Sequence, residues 1–210
     1  MFSGWRLTGL AGAVVVALAA AAFALAPEPV EGARMAIRLT ARTSLALFLP
    51  AFAASALVRL FPSAPTRWLR RNRRYLGVAF AVSHGVHLAA IITLAQLDFA
   101  VFLRLTNVVT YLGGGLAYGF ILAMTLTSFD RPARLIGLRA WRLLHRTGIW
   151  YIWLSFALNF GKRVPISAAY LLPVALIALA ALLRLTGGFR SGKRDDEGVS
   201  PPADPVEPRA

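Results

Sequence analysis

Residues 76–97 read LGVAFAVSHGVHLAAIITLAQL, a stretch with no charged side chain and two histidines, and the six residues before it, 70–75, read RRNRRY. At 1.5 Å of rise per residue this run makes a helix of about 33 Å, enough to cross roughly 30 Å of hydrocarbon. Inside lipid only a helix or a closed barrel satisfies every backbone N–H and C=O, and an unbroken apolar run of this length selects the helix. Five more runs bounded by charge or proline repeat the pattern: Leu7–Ala26, Ser44–Phe61, Asn107–Phe129, Thr147–Phe160 and Val164–Leu185. The fifth in chain order, Thr147–Phe160, is short unless it begins near Trp141. The sequence predicts an all-α polytopic membrane protein, a six-transmembrane-helix bundle over residues 1–186. The first run has the outline of a signal peptide ending at Ala24-Leu25-Ala26, but its length and Pro27 directly after that site favour a retained helix.

Composition agrees. Of 210 residues 58% are hydrophobic and 15% charged, and the mean hydropathy is +0.63, too apolar for a soluble domain of this length. Twenty-three Lys and Arg against nine Asp and Glu give a net charge of +14. The cations cluster at Arg67, Arg70, Arg71, Arg73 and Arg74, at Arg131, Arg134, Arg139, Arg142 and Arg146, and near the C-terminus. Such alternation between loops reads as an orienting signal rather than a nucleic-acid surface. It predicts a multi-pass protein of the bacterial inner membrane, in contact with the lipid bilayer, with both termini cytoplasmic. Residues 187–210, acidic and then proline-rich, hold too few apolar groups to fold and are read as a disordered cytoplasmic tail.

The positions of the nine acids narrow the chemistry. Glu28, Glu31, Asp98 and Asp130 lie at span ends or in loops and the other five lie in the tail, so no span carries a carboxylate. Carboxylate-based proton pumps, sodium-coupled transporters and intramembrane aspartyl proteases each need one there. With no cysteine, thiolate metal sites and Cys nucleophiles are excluded as well. The spans keep three ionisable imidazoles: His84 and His87, three apart on one face of the third run with Gly85 between them, and His145 at the mouth of the fifth. Each is a functional candidate and, equally, a residue that simply hydrogen-bonds across helices. Imidazole is an axial ligand of heme iron, so a histidine pair on facing helices points to an electron-carrying heme.

Two segments carry a resemblance: Arg73-Arg74-Tyr75-Leu76-Gly77 followed by His87, and Trp141-Arg142-Leu143-Leu144-His145-Arg146. Together they resemble the ferric-reductase-like transmembrane superfamily over about residues 30–185. The nearest branch is the heme-binding membrane subunit of bacterial methionine sulfoxide reductase systems. The resemblance implies a b-heme protein passing electrons across the bilayer, with axial histidines from the third and fifth spans. Two-heme members carry two histidines on each of these helices; here Arg73 stands fourteen residues before His87, and Leu158, with Asn159 beside it, stands thirteen after His145. His87 therefore matches an outer level and His145 an inner one. By helix rise from Arg74 and Arg142 the two histidines sit about 15 Å apart in height, and His84 recovers about 4.5 Å of that.

Three further features are open to two readings. Arg38 and Arg42, one turn apart, suit two heme propionates or interfacial snorkelling. Gly113, Gly114, Gly115 and Gly119 are expected to serve close helix packing before they serve a macrocycle. Trp150, Tyr151, Trp153, Phe156 and Phe160 flank a porphyrin or, more simply, form a belt or ordinary packing. The expectation is a membrane electron-transfer protein holding one heme b, with His87 and His145 as iron-ligand candidates and His84, Arg73, Arg74, Arg38 and Arg42 nearby. Its donor would be a separate flavoprotein or quinol and its acceptor a periplasmic redox partner. The alternative is a non-catalytic scaffold or accessory subunit of the same fold with a degenerate heme site.

Overall fold

The computed structural model describes residues 2–197, apart from the side chains of 130, 131, 133 and 189–197. Seven helices follow in order: α1 (Trp5–Ala24), α2 (Pro29–Leu60), α3 (Ala64–Leu97), α4 (Phe99–Leu105), α5 (Val108–Leu126), α6 (Asp130–Gly161) and α7 (Leu171–Glu197), with a short 3₁₀ turn at Ala168–Tyr170 before the last. No strand occurs among the described residues. Each apolar run is mostly helical, but the last begins in turn, since 164–167 are not helical and α7 starts at Leu171; α2, α3 and α6 extend well beyond their runs. Residues 29–43 and 64–75 are helical too, because Pro29 opens α2 and the Ser63–Thr66 capping box starts α3.

Five helices are long and apolar enough to cross a membrane: α1, α2, α3, α5 and the stretch Ala168–Gly188 containing most of α7. The apolar part of α6, residues 147–160, gives only about 21 Å of rise and does not reach that length. The first seven residues of α6 are cut off by Gly137, whose φ of 74° and ψ of 160° interrupt the helix. α7 continues through Glu197 into the stretch read as tail, since no proline interrupts it before Pro201; residues 198–210 lie outside the described residues.

α2 is the organising element, packed against α1, α3 and α7, while α5 and α6 form a second pair. The two groups meet in one apolar core built from Phe48 and Phe52 of α2, Phe80 of α3, Ile121 of α5, Ile149, Ile152 and Phe156 of α6, and Ile177 of α7. Outside that core large apolar side chains face outward, among them Val109 at 81% and Leu172 at 68% exposure. A water-soluble surface does not carry so many, and a bilayer covers them.

The glycine expectation is corrected. A Cβ built on Gly114, Gly115 or Gly119 meets nothing within 4 Å, so the Gly115–Gly119 repeat does not seat a neighbouring helix. Close approach occurs instead at Gly148, where a Cβ would stand 2.8 Å from Met124 Sδ and 3.1 Å from Phe120, and at Gly187 against Ala56. The aromatic residues of α6 are likewise engaged in packing: Trp153 donates to the Ile177 carbonyl at 2.9 Å, Tyr151 to the Gly113 carbonyl at 3.0 Å, and Trp150 meets Phe52 edge-on.

Candidate functional site

Between the α2/α3 and α5/α6 pairs the bundle leaves two cavities. The first, of about 370 Å³, is lined by Arg73, Arg74 and Gly77 of α3, by Phe48, Ile121 and Met124, and by Thr127, Trp141 and His145. The second, of about 240 Å³, is lined by Arg38, Arg42, His87, Ile91 and Phe102, by Asn159, Lys162 and Arg163 at the far end of α6, and by Tyr170 of the 3₁₀ turn. Arg73 and His87 are separated by about 21 Å of helix rise along α3. Phe48, Phe80, Phe156, His84 and Tyr118 fill the layer between, their rings 5.1–6.2 Å apart.

Of the sequence-predicted residues, the structure brings His87, Arg38 and Arg42 to one cavity and His145, Arg73 and Arg74 to the other. His87 and His145 do not line a common cavity. The levels inferred from helix rise therefore correspond to two separate spaces, and one heme clamped by both histidines does not follow from this packing.

The two histidines also present different nitrogens. Thr40 places its hydroxyl 2.6 Å from the Ala36 carbonyl and 2.9 Å from His87 Nδ1. A carbonyl only accepts, so the single hydroxyl hydrogen goes to Ala36 and the Thr40 oxygen accepts from His87 Nδ1–H. The neutral ring then carries its lone pair on Nε2, the form in which imidazole binds a metal. Thr43, Ser44 and Ser83 continue this polar seam between α2 and α3, with Ser83 Oγ 3.0 Å from Thr43 and 2.9 Å from Ser44.

At His145 the same logic yields the opposite result. Thr127 donates to the Ala123 carbonyl at 2.7 Å and lies 3.0 Å from His145 Nε2, so it is Nε2–H that donates to the threonine. The ring is stacked on Trp141 at 4.4 Å, and Trp141 Nε1 donates to the Thr127 carbonyl at 2.9 Å. Ligation through His145 Nε2 requires breaking the threonine bond. Burial, and then the positive charge of Arg73, lower the pKa of this imidazole from its ordinary value. His84 lines neither cavity; its ring lies 5.3 Å from that of His87, and its buried Nδ1 has no hydrogen-bond partner.

The cations are unevenly matched. Glu31 accepts from Arg38 at 2.6 Å and Arg34 at 3.1 Å, leaving Arg42, Lys162 and Arg163 to face the second cavity without a described acid in contact. Arg74 packs against the rings of Trp5 and Phe129, tying the start of α1 to α3. Sequence reasoning missed Thr40 and Thr127, the residues that fix both histidines. Their signal was a hydroxyl on an apolar helix near a histidine-bearing one, legible as an interhelical hydrogen-bonding type but without a partner. No group of three or more His, Cys, Asp or Glu able to hold a bare metal ion occurs among the described residues. Comparison with family models, with curated proteins and with solved structures found no match for this chain.

Proposed function

We propose that the chain is a membrane electron-transfer protein that binds heme b at His87, the fifth apolar run completing a six-span bundle. The observation that carries this reading is the Thr40–His87 hydrogen bond, which turns the Nε2 lone pair away from its protein partner at the edge of a cavity ringed by cations. The residues fit the group in three respects. His87 Nε2 supplies an axial ligand, Arg42, Lys162 and Arg163 are suited to propionates, and Phe160 and Phe102 supply apolar wall. The cavity, at about 240 Å³, is below the roughly 300–1,000 Å³ usual for ligand pockets, so a macrocycle requires its wall to move. Helix α4 is suited to that, since none of its residues is buried.

Bound heme would supply one-electron redox chemistry. The chain's own part is to orient the imidazole, neutralise the propionates and exclude water. Electrons would come from a separate flavoprotein or quinol on the cytoplasmic side, where the Arg67–Arg74 and Arg131–Arg146 segments are proposed to lie, and leave toward a periplasmic partner. The aromatic layer of Phe80, His84 and Phe156 lies between the two cavities on that route.

A second reading, a scaffold of the same fold without heme, is favoured by one observation: α6 brings Asn159 rather than a histidine to the cavity of His87, and Leu158 points outward at 62% exposure. An absorption spectrum separates the two. Protein purified from heme-replete cells is expected to show a Soret band and, after dithionite, sharp α and β bands, with His87→Ala lowering heme content or changing spin state. A clean preparation without those bands sinks the heme reading, and an unchanged spectrum in His87→Ala removes His87 as the ligand.

A further inference from the structure

In the wall of the first cavity Arg73 has no counter-charge among the described residues. It lies mostly buried there, and its guanidinium makes one hydrogen bond among the described residues, a long 3.4 Å contact from Nη1 to Ser55 Oγ. Among the described residues the charges acting on it and on its neighbour Arg184 are positive: Arg70 on Arg73, and Arg73, Arg59 and Arg146 on Arg184. Arg184 is itself satisfied, donating to the Phe52 carbonyl at 2.6 Å and lying over the Phe52 ring at 4.7 Å. Desolvating a cation without an anion is unfavourable, and a membrane interior makes such a group rarer still.

The other polar groups of the wall cannot take its place. Thr125, Thr127 and Ser128 each donate a hydroxyl to a carbonyl of their own helix at 2.7 Å, and Trp141 donates to Thr127. The remaining polar side chains of the wall are Arg73, Arg74 and His145, none of them an acid, and Arg74 packs against Trp5 and Phe129. The opposite wall is apolar: Phe48, Phe80, Ile121, Ile149 and Ile152. A donor-only cation at one side and a hydrocarbon lining at the other match an amphiphile, with an acidic head for the guanidinium and an apolar body for the lining.

We infer that the first cavity is a binding site for an anionic phosphate group, held by Arg73. The chemistry is a phosphate or phosphate ester against a guanidinium, supplied by a phospholipid head or by free phosphate. The site is independent of heme at His87, which lies in the other cavity.

The test uses the full chain, delipidated in mild detergent, titrated with phosphatidylglycerol, with phosphatidylcholine of the same acyl chains, and with inorganic phosphate, and read by native mass spectrometry and thermal unfolding. Adducts and stabilisation are expected from phosphatidylglycerol at concentrations at least tenfold below those needed for phosphatidylcholine. Arg73→Gln is expected to abolish the preference, Arg73→Lys to retain most of it, and Arg67→Gln, an exposed cation on the same helix, to leave it intact. Inorganic phosphate matching phosphatidylglycerol, with the same loss in Arg73→Gln, supports the anion site and assigns a soluble ligand. Equal response to the two lipids with none to phosphate, or a preference that survives in a folded Arg73→Gln, overturns the proposal. If Arg73→Gln does not fold, wild type and Arg73→Lys decide: absence of an anion preference in both overturns it. An iron porphyrin found in this cavity overturns it as well and leaves the His87 reading to its own spectrum.

Discussion

A single hydroxyl decides what each histidine offers. Thr40 and Thr127 both spend their hydrogen on a carbonyl one turn back and both accept from an imidazole, yet one accepts from Nδ1 and the other from Nε2. Thr40→Val keeps the shape and removes the acceptor, so under the heme reading it should lower heme retention by about 10- to 100-fold with His87 in place. Heme titration of the apoprotein reads this directly, and unchanged affinity would show that the threonine does not orient the ring. His145 gives a pH dependence. Its folded pKa lies below the unfolded one, so the folded state holds fewer protons. The stability this histidine permits is complete above the unfolded value near 6.5 and falls as pH drops below it. His145→Gln is expected to flatten that part of the acid limb in thermal unfolding between pH 7.5 and 5.5.

At the scale of the element, α6 is the departure from a simple span. Gly137 breaks off its first seven residues from the rest, which carries Arg139, Arg142 and Arg146 before the apolar run; the positive φ of Gly137 is one a side chain adopts only with strain, so Gly137→Val should cost about 1–3 kcal/mol. The seam between α5 and α6 depends on Gly148. Gly148→Leu would drive a side chain into Met124 and Phe120 and should cost a further 1–3 kcal/mol or so by overpacking, whereas Gly119→Ala meets open space and should be close to neutral. Unfolding midpoints of the three variants in one detergent compare them. A loss at Gly119 equal to that at Gly148 would restore the packing role that the glycine repeat suggested. That repeat misled because spacing states which residues share a face, while only the neighbours state whether anything lies against it.

For the whole molecule the proposed topology makes a prediction that the absence of cysteine renders clean. In intact cells a membrane-impermeant thiol reagent should label Arg104→Cys and Lys162→Cys, on the proposed periplasmic side, and spare Arg67→Cys and Arg139→Cys. Equal labelling of Arg67→Cys and Arg104→Cys would refute the orientation, and labelling that places Arg139 and Lys162 on one side would show that α6 does not cross.

The helical, membrane-embedded character of the chain was determined by the sequence alone, because apolar length and the need to satisfy backbone groups in lipid depend on local composition. The same holds for the short reach of residues 147–160 and for the lack of a carboxylate in the apolar runs. What the tertiary structure decided was which of these residues meet. Helix rise already separated His87 from His145 in height, but the packing of α2/α3 on α5/α6 turned that separation into two cavities with an aromatic layer between them. It also supplied Thr40 and Thr127 as partners and left Arg73 facing an apolar space. Those outcomes depend on helix rotation and crossing, which no run of residues encodes by itself, since a hydrogen bond between α2 and α3 is fixed by how two helices face each other.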